Sequence, residues 1–416
     1  MFLRFSFLCT ISFFFVVTHA QFSISGKVVG SDNNLPIASA NVYFNNSSKG
    51  TITNENGYFK IANFAAGRYE LVVSCIGYLP KIINISSSNL SQDLVIQLSP
   101  KTEELAEVIV APFDKDGWAK WGQLFLEFFV GTSEYANDCK LINKDAIKFR
   151  YNKKKNKLEA FSLDRLVLEN NSLGYFLKYD LVRFEYDFSS YIFIYQGYPF
   201  FEEMESTKKA INKKWLTNRV NAYNGSLMHF MRSLFRNSLV ENNFEVKKTI
   251  NTYNPEKRRV APIYKAELSK SSLSGDLSKA LSAVSKRSKE YDSLSYYKSV
   301  MKGPDFISSI DNNIMPRDSI VYLIDSVTLG LQFSENLHIS YFKKGMTIAN
   351  QNNLNNLNFM NNRPTVSELT NVGNTEINII YNGSYFPVNK LIVNGYWSWA
   401  GKIGDMLPQD YWPPKK

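Results

Sequence analysis

Two histidines (His229 and His338), two cysteines (Cys75 and Cys139) and an acidic run (Glu202, Glu203 and Glu205) are the side chains best suited to chemistry once an N-terminal leader is set aside. A zinc centre built from neighbouring histidines needs spacings such as His-x-x-Glu or His-Glu-x-x-His, which bring two ligands to one face. Here each histidine stands alone, which disfavours an ordinary zinc carboxypeptidase. A Ser/His/Asp triad draws on residues distant in sequence, so either histidine fits one in principle. No Gly-x-Ser-x-Gly turn singles out its serine. Cys75 continues the apolar row Tyr69, Leu71, Val73 and reads as a buried free thiol, whereas Cys139 has no partner that the sequence identifies. The glutamates, beside Tyr198 and Phe201, can be imagined as the paired carboxylates of a glycan hydrolase. Three acids in four residues at a strand end are in the main the composition of a solvated turn, and that reading is preferred. Asn54-Glu55-Asn56-Gly57 lacks the later acidic ligands of a calcium loop, and there is no phosphate loop or dinucleotide fingerprint. The sequence therefore assigns no catalytic, cofactor-binding or metal-binding residue, and it implies no cofactor.

The elements that would position any site begin at Gln21. Phe22, Ile24 and Val28 alternate on one strand face with Gly26 between them, and Ser31 to Asn34 is a turn cluster. Lys49 to Thr53 and Tyr58 to Ile61, joined through Asn54 to Gly57, read as a hairpin. Strands at Arg68 to Cys75, Lys81 to Ile85 and Asp93 to Leu98 follow. About seven short strands in under eighty residues predict a β-sandwich. A domain that small is marginally stable, so inward aromatics such as Phe59 carry weight.

Several blocks carry a resemblance: Ser25 to Val28, Leu35 to Val42, Lys49 to Phe59 and Tyr69 to Tyr78. In this order they resemble the carboxypeptidase regulatory-like domain. The resemblance implies a seven-stranded transthyretin-like sandwich and an accessory to catalysis, not a peptidase. Leu105 to Val110 is similar to the segment that follows this domain in TonB-dependent outer-membrane receptors. About three hundred residues remain after it, too few for a plug and a 22-stranded barrel at ~10 residues per strand.

Further on, an apolar helical stripe runs through Trp118, Trp121, Leu124, Phe125, Phe128 and Phe129, with Asp114 and Asp116 as N-terminal signals and Gly131 as its stop. The two tryptophans read as buried stripe rather than a sugar platform. In Tyr175 to Phe188 the alternation slips by one residue near Leu181 and Val182, the signature of a β-bulge, and Tyr191 to Tyr195 lies within hairpin range. A second helix, capped by Ser226, carries Leu227, Phe230, Met231, Leu234, Phe235 and Leu239, with His229, Arg232 and Arg236 off the stripe. Residues 269–302 read as a polar helical insertion with a weak stripe through Leu277, Leu281 and Val284. Strands are expected at 320–324, 327–333, 338–342, 377–381 and 391–399, with an Asn-rich loop at 350–362. Trp118 to Gly131, Asn221 to Leu234 and Gly395 to Trp399 with Met406 to Pro408 resemble exported Gram-negative proteins that join a regulatory-like domain to a C-terminal region without an assigned activity.

The fold class is thus mainly β with an α+β C-terminal region. The expected domains are a signal peptide at 1–20, the sandwich at 21–100, a linker at 101–112 and the α+β region at 113–416. The leader has Arg4, an apolar run from Phe5 to Val17 and a small residue, Ala20, at the cleavage point, and is too short to span a bilayer. Its removal leaves 47 basic against 38 acidic residues, a charge of +9. The basic clusters at 153–157, 208–214 and 257–259 lie in no nucleic-acid reader motif, so the charge reads as a solvated face suited to acidic glycans or lipid headgroups. The expected function is that of a non-enzymatic exported envelope protein, periplasmic or at the outer membrane, acting on a protein or glycan partner. The alternatives are a carboxylate-based glycan hydrolase of unfamiliar type and an accessory of a TonB-dependent transporter.

Overall fold

The first strand, β1 (Phe22–Gly30), lies at the centre of a three-stranded sheet, antiparallel to β4 (Tyr58–Phe64) and parallel to β7 (Leu94–Leu98). A four-stranded sheet packs against it, formed by β2 (Asn41–Phe44), β3 (Gly50–Ile52), β5 (Arg68–Ser74) and β6 (Lys81–Ser86) in the order β3-β2-β5-β6. The alternation dictates the packing: Ile24 and Val28 meet Val42, Phe44, Phe59, Leu71 and Val73 in one core, with Cys75 at its margin. The seven strands form the expected sandwich. One connection corrects the sequence reading. Asn54 caps its own turn, accepting from the N–H groups of Asn56 and Tyr58 through Oδ1, but β3 and β4 pair with β2 and β1 and so belong to different sheets. The Asn-Gly turn therefore carries the chain across the sandwich and does not close a hairpin.

The computed structural model describes residues 21–90, 93–101, 112–272, 288–343 and 364–414. The leader, the strand read at 105–110, the stripe through Leu277, Leu281 and Val284 and the Asn-rich run fall outside the described residues. Contacts divide the chain into two compact units: Met1–Tyr223 with Ile380–Asn382 and Lys402–Lys416, and Asn224–Ile379 with Gly383–Gly401. The boundary at Tyr223 lies inside the region that the sequence treats as continuous from residue 113.

After the sandwich, the first unit builds a six-stranded sheet. Its strands are β8 (Cys139–Leu141), β9 (Ile147–Asn152), β10 (Lys157–Ser162), β11 (Leu166–Asn170), β12 (Tyr175–Asp187) and β13 (Ile192–Glu203). β12 is the spine, antiparallel to β11, β10 and β13, and its register shifts between Leu181 and Arg183 as the apolar phase slip predicts. Helix α1 (Gly117–Phe129) covers one face: Phe125 meets Phe149 and Phe184, and Phe129 meets Tyr179 and Tyr195. Asp116 makes no side-chain cap; Asp114 instead accepts a 2.7 Å bond from the Trp121 indole. Helix α2 (Lys209–Tyr223), marked in sequence only by its lysines, is pinned by Arg219, which donates to the carbonyls of Leu173 and Gly174 and lies over the Tyr175 ring.

The second unit begins with α3 (Leu227–Phe235), whose Ser226 cap accepts from the His229 N–H as predicted. Its core joins Phe230, Met231 and Leu234 to β14 (Phe244–Tyr253), β16 (Asn336–Tyr341), β17 (Thr365–Asn371) and β18 (Leu391–Gly395). Arg232 and His229 are buried as well, so the helix is enclosed on more than the expected stripe. Helix α4 (Pro255–Ser272) runs into the insertion read at 269–302 and α5 (Ser288–Lys302) lies within it, both between β14 and its exposed partner β15 (Phe306–Ile314). Residues 396–399, expected as strand, form the short helix α6 (Tyr396–Ala400), because Gly395 turns the chain at φ +72 and the Trp397 indole donates to the Gly225 carbonyl.

Candidate functional site

The residues nominated for chemistry are not brought together. His229, 6 % exposed, accepts the Gly225 N–H at Nδ1 over 3.1 Å and packs its ring on Phe244 and Tyr341. Burial pushes its pKa down to about 4, so the imidazole is neutral near pH 7. His338 lies elsewhere, on β16, opposite Lys247 and Glu368, and burial lowers its pKa too. Glu202 and Glu203 are consecutive on β13 and so point to opposite faces of the sheet. Lys178 holds Glu202 at 2.5 Å, and Arg219 holds Glu203 at 3.2 Å. They are not a facing carboxylate pair. Glu205 lies exposed beyond the strand.

Cys75 and Cys139 are free, and burial raises both thiols, Cys139 to about 12. Neither is poised as a thiolate. Trp118 and Trp121 pack on Phe149, Tyr151 and Phe188 as stripe residues. Among the described residues no three His, Cys, Asp or Glu side chains are placed to hold a metal ion, and no helix is long and apolar enough to cross a membrane.

What the fold does assemble is a junction between the sandwich and the second sheet. Tyr43 on β2 and Ser74 on β5 point away from the sandwich core. Arg165 grips Asp180 on β12 through Nε at 3.0 Å and Nη2 at 2.5 Å, and donates to Ser74 Oγ at 2.7 Å. Tyr43 donates its hydroxyl to Asp180 Oδ2 at 2.6 Å, and its ring lies under the guanidinium and beside Phe200. Burial and the Asp180 carboxylate push the phenol pKa far up, so Tyr43 stays a donor. The β2–β3 turn is fastened as well: Asn46 N–H donates to the Pro199 carbonyl, Phe201 N–H to that of Ser47, and Ser48 to Asp410. Sequence reasoning missed this junction. Its trace is the unbroken apolar runs Val42 to Phe44 and Leu71 to Val73, which leave no solvent face; Tyr43 and Val72 are 1 % and 0 % exposed.

With that sheet covered, the sandwich presents the outer face of β4-β1-β7. Lys27 is cross-strand to both Tyr58 and Val95, its ammonium 5.2 Å from the centre of the Tyr58 ring, and Lys60 stands beside Ser25. Tyr58 and Val95 are 54 % and 69 % exposed. Two cations around an accessible aromatic ring can stack on a sugar, pair with a carboxylate or receive an acidic peptide. This is the candidate contact surface.

Residues 24–110 match the model of the CarboxypepD_reg-like domain. No curated protein matches the chain. Among solved structures, a chain of the type II cohesin–X-dockerin complex from Acetivibrio cellulolyticus shares 28 % identity over 19 % of this chain and 57 % of its own length, with a TM-score of 0.16. A second such complex gives 25 % identity, 18 %, 51 % and a TM-score of 0.15. A 9R-lipoxygenase from Cyanothece gives 10 % identity over 54 % of this chain and 49 % of its own, with a TM-score of 0.13. This chain thus spans about half the length of each of these three structures, and at these TM-scores none of them bears on fold or activity. The sandwich that starts the described chain, with its β4-β1-β7 and β3-β2-β5-β6 sheets, is a CarboxypepD_reg-like domain.

Proposed function

We propose that this is a non-enzymatic exported protein of the cell envelope, in the periplasm or at the outer membrane, that works by contact with an envelope protein or glycan. The observation that carries the reading is the orientation of the CarboxypepD_reg-like sandwich: one sheet is fastened to the β12–β13 sheet, and the other offers Tyr58 between Lys27 and Lys60. A cationic, aromatic face selects acidic or sugar-bearing partners and speeds their encounter at low salt. The signal-like leader supports export.

The reading is tested in two steps. Fractionation of cells expressing the full chain should recover it in the periplasm or with the outer membrane, and recovery in the cytosol contradicts export. Purified protein offered panels of peptides and glycans should turn none over. Turnover that disappears in Glu203→Gln would establish carboxylate catalysis instead.

A further inference from the structure

The chain returns to the first unit at Lys402 and runs as a strap to Pro414. Lys402 donates to the Glu127 carbonyl at 3.1 Å and lies over the Phe128 and Phe193 rings. Gly404 N–H bonds the Val130 carbonyl, and Asn170 Nδ2 bonds that of Gly404. Farther along, Gln409 N–H donates to Asn46, and Asp410 accepts from Ser48 N–H and Oγ, so the strap ties the end of α1 to the β2–β3 turn.

Asp405 sits within the tight part of this path. Its Oδ2 is buried without a hydrogen-bond partner. The Ser133 hydroxyl bonds the carboxyl, and Glu134 acts on it with like charge. From β8 Cys139 faces it, and Glu169 on β11 acts on the same thiol. Asp138 is turned toward Ser172 and Lys214, and the Lys402 ammonium is directed to Glu127. Glu134 therefore disfavours a carboxylate here, and among the described residues no cation acts on it to offset its burial.

We infer that the strap is a proton-sensitive latch, held on the first unit while Asp405 is protonated and loosened when Asp405 ionises. The inference is independent of what the sandwich face binds. Burial is the first cause that raises the Asp405 pKa from 3.8 to about 7, with Glu134 adding to it. A folded-state pKa above the unfolded value means attachment complete below pH 3.8 and lost as the pH rises through about 7. If the opened strap restores the ordinary value, the opening constant rises about tenfold between pH 6 and pH 8.

Hydrogen exchange of the full chain, expressed as protection factors to remove the intrinsic pH dependence, reads this directly. Peptides covering 402–414 should lose about tenfold in protection from pH 6 to pH 8 while β12 peptides stay constant. Asp405→Asn, a neutral isostere, should flatten the change to under about twofold. Exposed Glu134→Gln leaves the fold intact and should complete the loss at lower pH, because it removes a charge that disfavours ionisation. A flat wild-type profile, an unaltered slope in Asp405→Asn, or a Glu134→Gln profile identical to wild type overturns the latch.

Discussion

His229 shows how a residue type that invites a catalytic reading can be spent on the core. Its folded pKa of about 4 lies below the ordinary 6.5, so the folded chain favours the neutral ring. Stability from this source is present above pH 6.5 and is lost as the pH falls toward 4, by up to ~3 kcal/mol. Denaturant unfolding of wild type and His229→Gln across pH 4 to 7 should show that slope in wild type and a reduced one in the variant; equal slopes contradict the assignment. The Arg165–Asp180 pair is the other residue-scale commitment, with side chains only 12 % and 17 % exposed. Asp180→Ala leaves a largely buried guanidinium without its carboxylate beside Tyr43 and should cost ~3–5 kcal/mol, whereas removing both partners together should cost less than the sum. A double-mutant cycle that proves additive removes the coupling. Phe59, 4 % exposed in the sandwich core, should cost ~3–5 kcal/mol as Phe59→Ala, and an unchanged melting curve would displace it from that core.

At the scale of elements, the close approach of sandwich and sheet is set by glycine. A Cβ on Gly50 would stand 2.7 Å from both Phe200 Cε2 and Tyr43 Cβ. Gly50→Ala should therefore push β3 away from β13 at a cost of ~1–3 kcal/mol, seen as a fall in denaturation midpoint. A midpoint unchanged within error would mean that the contact is loose. Elements whose burial is one-sided were legible in the sequence: the sandwich strands, α1 and the bulge in β12 follow from alternation or helical spacing. β14 and β15 were not, because Phe244 to Ile314 mixes Lys, Asn, Ser and Thr into strands whose exposed halves lack a clean alternation. The hairpin reading failed for a different reason. An Asn-Gly turn specifies a local reversal, but which sheet each arm joins depends on β1 and β2, which leave no local signal at the turn. No short motif marks the junction either: Tyr43, Ser74, Arg165 and Asp180 are spread over more than a hundred residues and meet only when two sheets stack.

For the whole molecule, the junction makes the regulatory-like sandwich a fixed part of the first unit despite the expected linker at 101–112. Excised as residues 21–101, it would uncover Tyr43 and Val72 and should be less stable than within the full chain, with dye binding to the new apolar patch. Equal stability of fragment and full chain would contradict the structural role of the junction. The net charge of +10 adds a long-range attraction for acidic partners that salt should weaken. The central claim is narrower: contact is made through the outer face of β4-β1-β7. It is tested by capture from native envelope extracts with residues 21–416 as bait, wild type against Lys27→Glu/Lys60→Glu, two surface changes that should leave the melting temperature unaltered. The account predicts a partner recovered by wild type and reduced at least about tenfold with the reversed face. Equal recovery by both baits would contradict it.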